Sequence, residues 1–476
     1  MGMHKSVAAW GAALVLGGCA APAIDTDQPE PALPQQWPQA AADADAANAD
    51  AALSQHWWRS FGSAELDSVV DRARIQSWSV AEAAARVRQA AARWNQAGAS
   101  LLPEVSGGMN ATRNKSLSGS GGVDAAQNRF AVSLSASYEV DFWGKNRAGR
   151  DAAQAVWKAS VFDRDTVQLT VTAGAAQAWL HSVALHERVD IARLNLQSAE
   201  RLVQLVESRA RAGAASALEL AQQKGLVASQ RRSLLTLQQQ ALDAQTALAT
   251  LLGQAGGAEV VTTSLLGLQM PAVGAGVPAQ LLVRRPDIAR AEAQLAAAQA
   301  NVQVARAAML PRLTLTGSVG AGDERWQRIF DNPLYALAAG LTAPIFDAGR
   351  LAAGNALAMA QREELLATYR KTIIEAFADV QLALHAVSGV QAQAQAQAEE
   401  LAQAHKALSL AETRYRSGAE SLLTLLDAQR TLYAAQDVAV QLRLAHLQAH
   451  VSLYKALGGG WDMAAAVGAG NGLNTQ

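Results

Sequence analysis

The chain has one cysteine, Cys19, in 476 residues, so no disulfide can form within it. Charge is also scarce: 17% of residues are charged, and 40 Lys and Arg face 41 Asp and Glu for a formal net charge of −1. With no positive field and no local basic cluster, a nucleic acid is excluded as partner. No complete set of metal ligands is spaced for a site either. His446 and His450 stand four apart on a helical pattern, but no nearby Cys or carboxylate completes a site, and His181 and His186, five apart, share no face well. There is no phosphate loop, nucleophile elbow or paired-cysteine motif, and Gly317, Gly320 and Gly322 have no nucleotide-binding helix pattern after them. The sequence therefore predicts neither an enzyme nor a metal or cofactor protein. What it has in quantity is apolar residues, 50%, many of them Ala, which favours helix.

The start of the chain reads as an address. His4 and Lys5 precede an apolar stretch from Val7 to Leu16, followed by Gly17, Gly18 and Cys19. That stretch is too short to span a bilayer core of ~30 Å as a helix and fits a cleaved secretory signal over 1–18. Cys19, directly after small residues, is placed as the lipid-modified first residue of bacterial lipoproteins. Ala20 rather than Asp follows it, which by that resemblance fits sorting to the outer membrane. Residues 19–53, rich in Pro, Ala, Asp and Gln, read as an extended tether.

Proline is rare and clustered: none lies between Pro103 and Pro271 or after Pro344. Helix interiors exclude proline at a cost of ~3 kcal/mol, so these tracts permit unusually long helices. Apolar spacing supports them at Leu194, Ala199, Leu202, Leu205 and Val206, at Leu234, Leu237, Ala241, Leu242, Leu248 and Leu252, at Ile373, Ile374, Phe377, Val380, Leu384 and Val387, and at Leu422, Leu425, Leu426 and Leu432. Rods of this length must pack along other rods.

Four segments alternate with period two instead. The strongest sets Phe130, Val132, Leu134, Ala136, Tyr138, Val140 and Phe142 against Ala131, Ser133, Ser135, Ser137, Glu139 and Asp141. A second sets Leu313, Leu315 and Val319 against Thr314, Thr316 and Ser318, and weaker ones follow Pro103 and precede Phe346. Each has about the ~9–11 residues of a transmembrane β-strand, whereas no apolar run after the signal reaches the length of a membrane helix. Four strands cannot close a barrel, so a membrane role demands that several chains share one; a small soluble sheet is the other reading. Trp143, ending the strongest strand, suits either an interfacial aromatic belt or a core.

The chain also repeats itself. Leu102-Pro-Glu-Val-Ser recurs as Leu310-Pro-Arg-Leu-Thr, Gly144-Lys145 as Gly349-Arg350, and Arg209-Ala-Arg-Ala-Gly213 as Arg414-Tyr-Arg-Ser-Gly418, the last two at an offset of 205 residues. Two repeats result. Residues 54–285 hold a helix, strands at about 104–113 and 130–142, a helical hairpin at about 146–252 and an equatorial segment. Residues 286–460 hold a helix, strands at about 312–320 and 335–346 and a hairpin at about 350–457, before a tail, 461–476. Gly213 and Gly418 fall where the helices reverse.

These residues, with Trp57-Trp58, Tyr138-Glu-Val-Asp-Phe-Trp-Gly144, Leu282-Val-Arg-Arg-Pro-Asp-Ile288, Leu422-Leu-Thr-Leu-Leu-Asp-Ala-Gln-Arg430 and Tyr454-Lys-Ala-Leu-Gly-Gly-Gly-Trp461, resemble the TolC-like outer membrane factors, lipoprotein branch. The similarity runs from about Trp57 to Trp461, with Ser77 where the family usually has Asn. It implies an α+β membrane protein: a homotrimer whose chains each give four strands to a shared twelve-stranded outer membrane barrel, continued by a helical tube through the periplasm. The function implied is a passive exit duct of a tripartite efflux pump, working with a periplasmic adaptor and an inner membrane pump of the RND type. No cofactor is implied beyond lipid on Cys19. Leu423, Asp427 and Arg430 match positions that narrow the closed periplasmic tip. By spacing alone they are one helix face with an ion pair worth ~0.3 kcal/mol. Arg209, Arg211, Gly213, Arg416 and Gly418 are the adaptor-docking candidates, or else they only shape the turns. Two other functions remain open here: the outer duct of a type I protein secretion system, and a lipid-anchored periplasmic coiled coil without a pore.

Overall fold

Serine caps start several helices and positive-φ glycines stop the long ones. In the computed structural model, which describes residues 56–115, 126–271 and 281–461, Ser63 Oγ accepts the Leu66 N–H and opens α1, Ala64–Gln76. Helix α2, Trp78–Ala99, leads into β1, Glu104–Asn114; β2, Gln127–Val140, then passes through Gly144 into α3, Lys145–Arg211. Helix α4, Ala217–Leu251, returns alongside it. The second half follows the same plan with α5, Leu281–Arg284, α6, Pro286–Ala307, β3, Arg312–Asp323, β4, Pro333–Thr342, α7, Arg350–Arg416, and α8, Leu422–Ala456. Both α3 and α7 have 67 residues, and both α4 and α8 have 35, so the duplication is also one of length. At 1.5 Å per residue α3 and α7 are each about 100 Å long. Cys19, the signal, the tether and all but the first residue of the tail lie outside the described residues.

All four hairpin helices end the same way. Gly213, Gly253, Gly418 and Gly458 have φ of 73°, 71°, 77° and 74°. The N–H after each glycine returns to a carbonyl five residues back: Ala214 to Arg209, Gln254 to Ala249, Ala419 to Arg414 and Gly459 to Tyr454, at 2.8–2.9 Å. These are Schellman motifs, which need the left-handed conformation that glycine adopts without a Cβ penalty.

The strands form one antiparallel sheet in the order β1-β2-β3-β4. Its register gathers one kind of side chain on each face. Val105, Ala136, Gly317 and Leu337 form one cross-strand row, and Val140, Leu313 and Leu341 another. The opposite face carries Ser106, Ser135, Ser318 and Ala336, then Glu104, Ser137, Thr316 and Ala338. Gly320 and Gly322, also on this face, lie so close to the neighbouring strand that a Cβ would meet the Val132 and Phe130 carbonyls at 2.9 Å. Every residue of β1 and β4 is exposed, so both edges are open. The fourth strand stops at Thr342 rather than near Phe346, because Pro344 has no N–H to continue the ladder.

Helix α3 is the spine, in contact with α1, α2, α4, α6 and α8, while α7 packs mainly on α6 and α8. The largest core joins Trp57, Trp58 and Phe61 to Trp179 and Leu180 of α3 and Tyr454 of α8, with the Trp57 and Tyr454 rings stacked at 5.0 Å. Several of the apolar positions whose spacing marks the helices are exposed: Leu194 (63%), Leu242 (59%) and Ile374 (49%). The helices carry apolar side chains on more than one face, and a single chain covers only one. Helix α7 holds an 18-residue window of mean hydropathy 1.4, only 28% of it buried, but Glu375 and Asp379 interrupt its most apolar stretch, so it is no continuous apolar run.

Candidate functional site

At the tip of the hairpins the Schellman glycines turn the chain, and serine restarts it. Ser216 Oγ accepts the Glu219 N–H while Glu219 returns to the Ser216 N–H, a complete capping box. In the second repeat Ser421 caps the Thr424 N–H, and Glu420 supplies the carboxylate, bonding the Ser421 N–H and Thr424 hydroxyl. Those bonds hold the Glu420 carboxyl below its usual range, the Ser421 N–H contributing most.

The two turns are tied together by Arg209. Its guanidinium donates to the Tyr415 carbonyl at 2.6 Å and stacks over the Tyr415 ring at 4.5 Å, while Tyr415 itself is buried among Val206, Leu422 and Leu425. Arg209 thus serves the turn as a strut. Arg211 is exposed, and Arg416 lies 4.0 Å from Glu412 with two thirds of its side chain in solvent. Gly213 and Gly418 sit at the reversals themselves.

Leu423, Asp427 and Arg430 lie together on an exposed face of α8, with Leu423 67% exposed. Opposite them Leu422, Leu425, Leu426 and Gln429 are buried. Among the described residues no ion pair joins Asp427 to Arg430; the isolated pair read from their spacing does not form. Arg430 instead lines a groove of about 650 Å³ between α3, α4 and α8, with Asn195, Gln230 and Tyr433. Farther along that groove Arg188 of α3 grips Asp437 of α8 through two hydrogen bonds, 2.7 and 3.2 Å. Spacing could not have found this pair, since 249 residues separate its members.

Trp143 stands at the end of the sheet, 47% exposed, its indole N–H donating to the Pro311 carbonyl at 2.6 Å. This removes the reading as a core tryptophan. Phe142, Ile345 and Phe346 beside the sheet end are 70%, 94% and 90% exposed, an aromatic and aliphatic rim. The His446 and His450 rings lie 4.9 Å apart, and His450 Nδ1 bonds the His446 carbonyl. No group of three His, Cys, Asp or Glu suited to a metal occurs among the described residues.

A long helical hairpin pair with a two-faced, open-edged sheet at one end defines a class, and comparison with known proteins identifies it. The outer membrane efflux protein family model matches residues 69–254 and 277–459, and the chain belongs to that family. Its sequence is 50% identical over 466 residues to the pyoverdine export outer membrane protein OpmQ of Pseudomonas aeruginosa, covering 96% of this chain and 97% of that one. The cation efflux system protein CusC of Escherichia coli is 30% identical over 455 residues, 94% of this chain and 97% of the relative. In crystal structures, CusC superposes with a TM-score of 0.81 (27% identity, 91% and 99% of the chains), and the Campylobacter jejuni CmeC outer membrane channel with 0.80 (25%, 87% and 91%). The chain is therefore an outer membrane channel of the TolC-like kind, the exit duct of a tripartite efflux pump. Four strands from each chain enter a shared trimeric barrel, and the helices continue it as a tube into the periplasm. Membership sets aside the pore-less coiled coil.

Proposed function

We propose that this duct releases pyoverdine or a closely similar solute, and that it does so behind a gate formed at the tip by Leu423, Asp427 and Arg430. The observation that carries the cargo is the 50% identity to a pyoverdine export protein across 97% of its length. It favours small-molecule export over type I protein secretion. The duct performs no covalent chemistry; the energy comes from an inner membrane pump, of RND type, through a periplasmic adaptor. Cys19 carries the lipid that adds an anchor to the barrel.

In this reading three copies of Leu423 narrow the closed pore, three Asp427 carboxylates brought close there repel anions until the tip dilates, and Arg430 latches α8 toward α4 across the groove they share. The exposure of all three side chains, and the lack of a partner for Asp427 among the described residues, support it. The adaptor meets the turns around Gly213 and Gly418, with Arg211 and Arg416 offering charge while Arg209 holds the turn through Tyr415.

Two measurements test the proposal. In Pseudomonas aeruginosa lacking OpmQ, expression of this chain should restore pyoverdine to the medium; periplasmic retention at the level of the empty vector would refute the cargo. In planar bilayers, Asp427→Ala with Arg430→Ala should raise the resting conductance severalfold, and an unchanged closed-state current would remove the gate.

A further inference from the structure

Two arginines at the junction of sheet and helices have no partner among the described residues. Arg312 begins β3 and Arg350 begins α7, and both line one cavity of about 380 Å³ together with Glu139, Asp141, Trp143 and Lys145. The carboxylates there are already engaged. Glu139 takes the Lys145 ammonium at 2.5 Å, and Asp141 accepts the Asn146 and Arg147 N–H groups and the Arg147 guanidinium at 2.9–3.1 Å. Asp347, three residues before Arg350, caps α7 through the Gly349 and Leu351 N–H groups. The two arginines are left as the uncompensated charge.

The repeat sharpens this. Lys145 and Arg350 are equivalent positions, each the first residue of a 67-residue helix, where the helix dipole disfavours a cation. In the first copy Glu139 answers Lys145. Its counterpart 205 residues on is Pro344, so in the second copy no described side chain answers Arg350. A residue that breaks a local rule without compensation marks a functional position.

The register says which way the cavity faces. Arg312 pairs with Thr342 and alternates with Leu313, so it shares a face with Thr314, Thr316 and Ser318. That is the polar face, and in a membrane barrel the polar face lines the lumen. We propose that Arg312 and Arg350 form an anion-binding neck on the duct wall, six guanidinium groups in the trimer, where the tube becomes the barrel. Its ligand is a carboxylate or phosphate oxyanion borne by the departing solute, which planar guanidinium groups hold through paired hydrogen bonds. The inference rests on the duct reading, since that reading assigns the lumen, and it deepens it by naming the cargo's charge.

The test uses the full-length protein in mild detergent, with citrate as probe. Titration calorimetry at low salt should show saturable binding that weakens at least tenfold in Arg312→Gln with Arg350→Gln and is unchanged in Arg232→Gln, an exposed arginine of α4 away from the neck. Across a KCl gradient in planar bilayers, the double variant should shift the reversal potential toward cation preference. Equal citrate binding by wild type and double variant, or an unmoved reversal potential, overturns the neck; if such protein still conducts, the duct reading survives it. An anionic phospholipid that copurifies with wild type and is lost from the double variant would also overturn it, by placing the pair against lipid.

Discussion

Arg285 shows how much one side chain can hold in this molecule. It stands before α6 and pairs with Asp287 at 2.7 Å and Asp379 of α7 at 3.1 Å, while donating to the Ala456 carbonyl at the end of α8. Burial alone would raise the Asp287 carboxyl; the hydrogen bonds and charge of Arg285 outweigh it and hold the carboxyl below its usual range. Arg285→Met should cost about 2–3 kcal/mol, somewhat under the ~3–5 of a fully buried pair, and appear as a lower melting temperature. Because the Asp287 pKa is depressed on folding, its contribution is complete above about pH 4 and is lost as pH falls through the folded value; the variant should lack that acid-side loss. His446 and His450 behave in a related way at milder pH. Burial lowers both, and for His446 the neighbouring His450 and Arg443 add to it. The unfolded chain then binds protons that the folded chain refuses, so stability should fall as pH drops below about 6.5. Thermal melts from pH 7.5 to 5 would show the slope, and His450→Gln should flatten it.

At the scale of elements, the same glycine motif does different work at the two ends of the hairpins. A Cβ on Gly418 would meet nothing within 4 Å, but on Gly458 it would sit 2.0 Å from the Arg284 carbonyl. Gly418→Ala should therefore cost only the left-handed backbone, ~1–2 kcal/mol, whereas Gly458→Ala should cost several times more and reduce the yield of folded protein. Melting temperatures of the two variants check the order. Gly418 was visible in the sequence as a place where a helix must stop, because a stop signal is local. The near-contact at Gly458 was not, because it comes from a segment about 170 residues away. Tyr415 and Arg209 make the same point: Arg209 was a docking or turn-shaping candidate with no partner in view, and only the side-by-side turns give it Tyr415.

The whole molecule depends on faces that one chain leaves open. Both sheet edges are unpaired, and residues such as Leu337 (82%) and Leu382 (65%) are exposed where a lone soluble chain would bury them. The mature protein in mild detergent should have the mass of three chains after correction for bound detergent. Leu337→Arg, on the apolar face, should cost ~2–4 kcal/mol near the bilayer midplane and lower the amount of trimer in the outer membrane. Ser135→Arg, on the polar face of the neighbouring strands, should assemble normally and lower single-channel conductance instead. Equal loss of trimer in both would contradict the assignment of faces.

Helix lengths, strand faces, the duplication and the capped turns were determined by the sequence alone, because each follows from periodicity or from a residue acting on its own backbone within a few positions. Which apolar stripes are covered within the chain, which arginine is spent on a turn and which is left free at the neck were decided only by the tertiary structure. Those outcomes depend on groups hundreds of residues apart meeting at ångström distances, and no local pattern encodes the partner. The alternation from Phe130 to Val140 thus announced a two-faced strand, whereas the lone charges of Arg312 and Arg350 became apparent only when the carboxylates around them were seen to be taken.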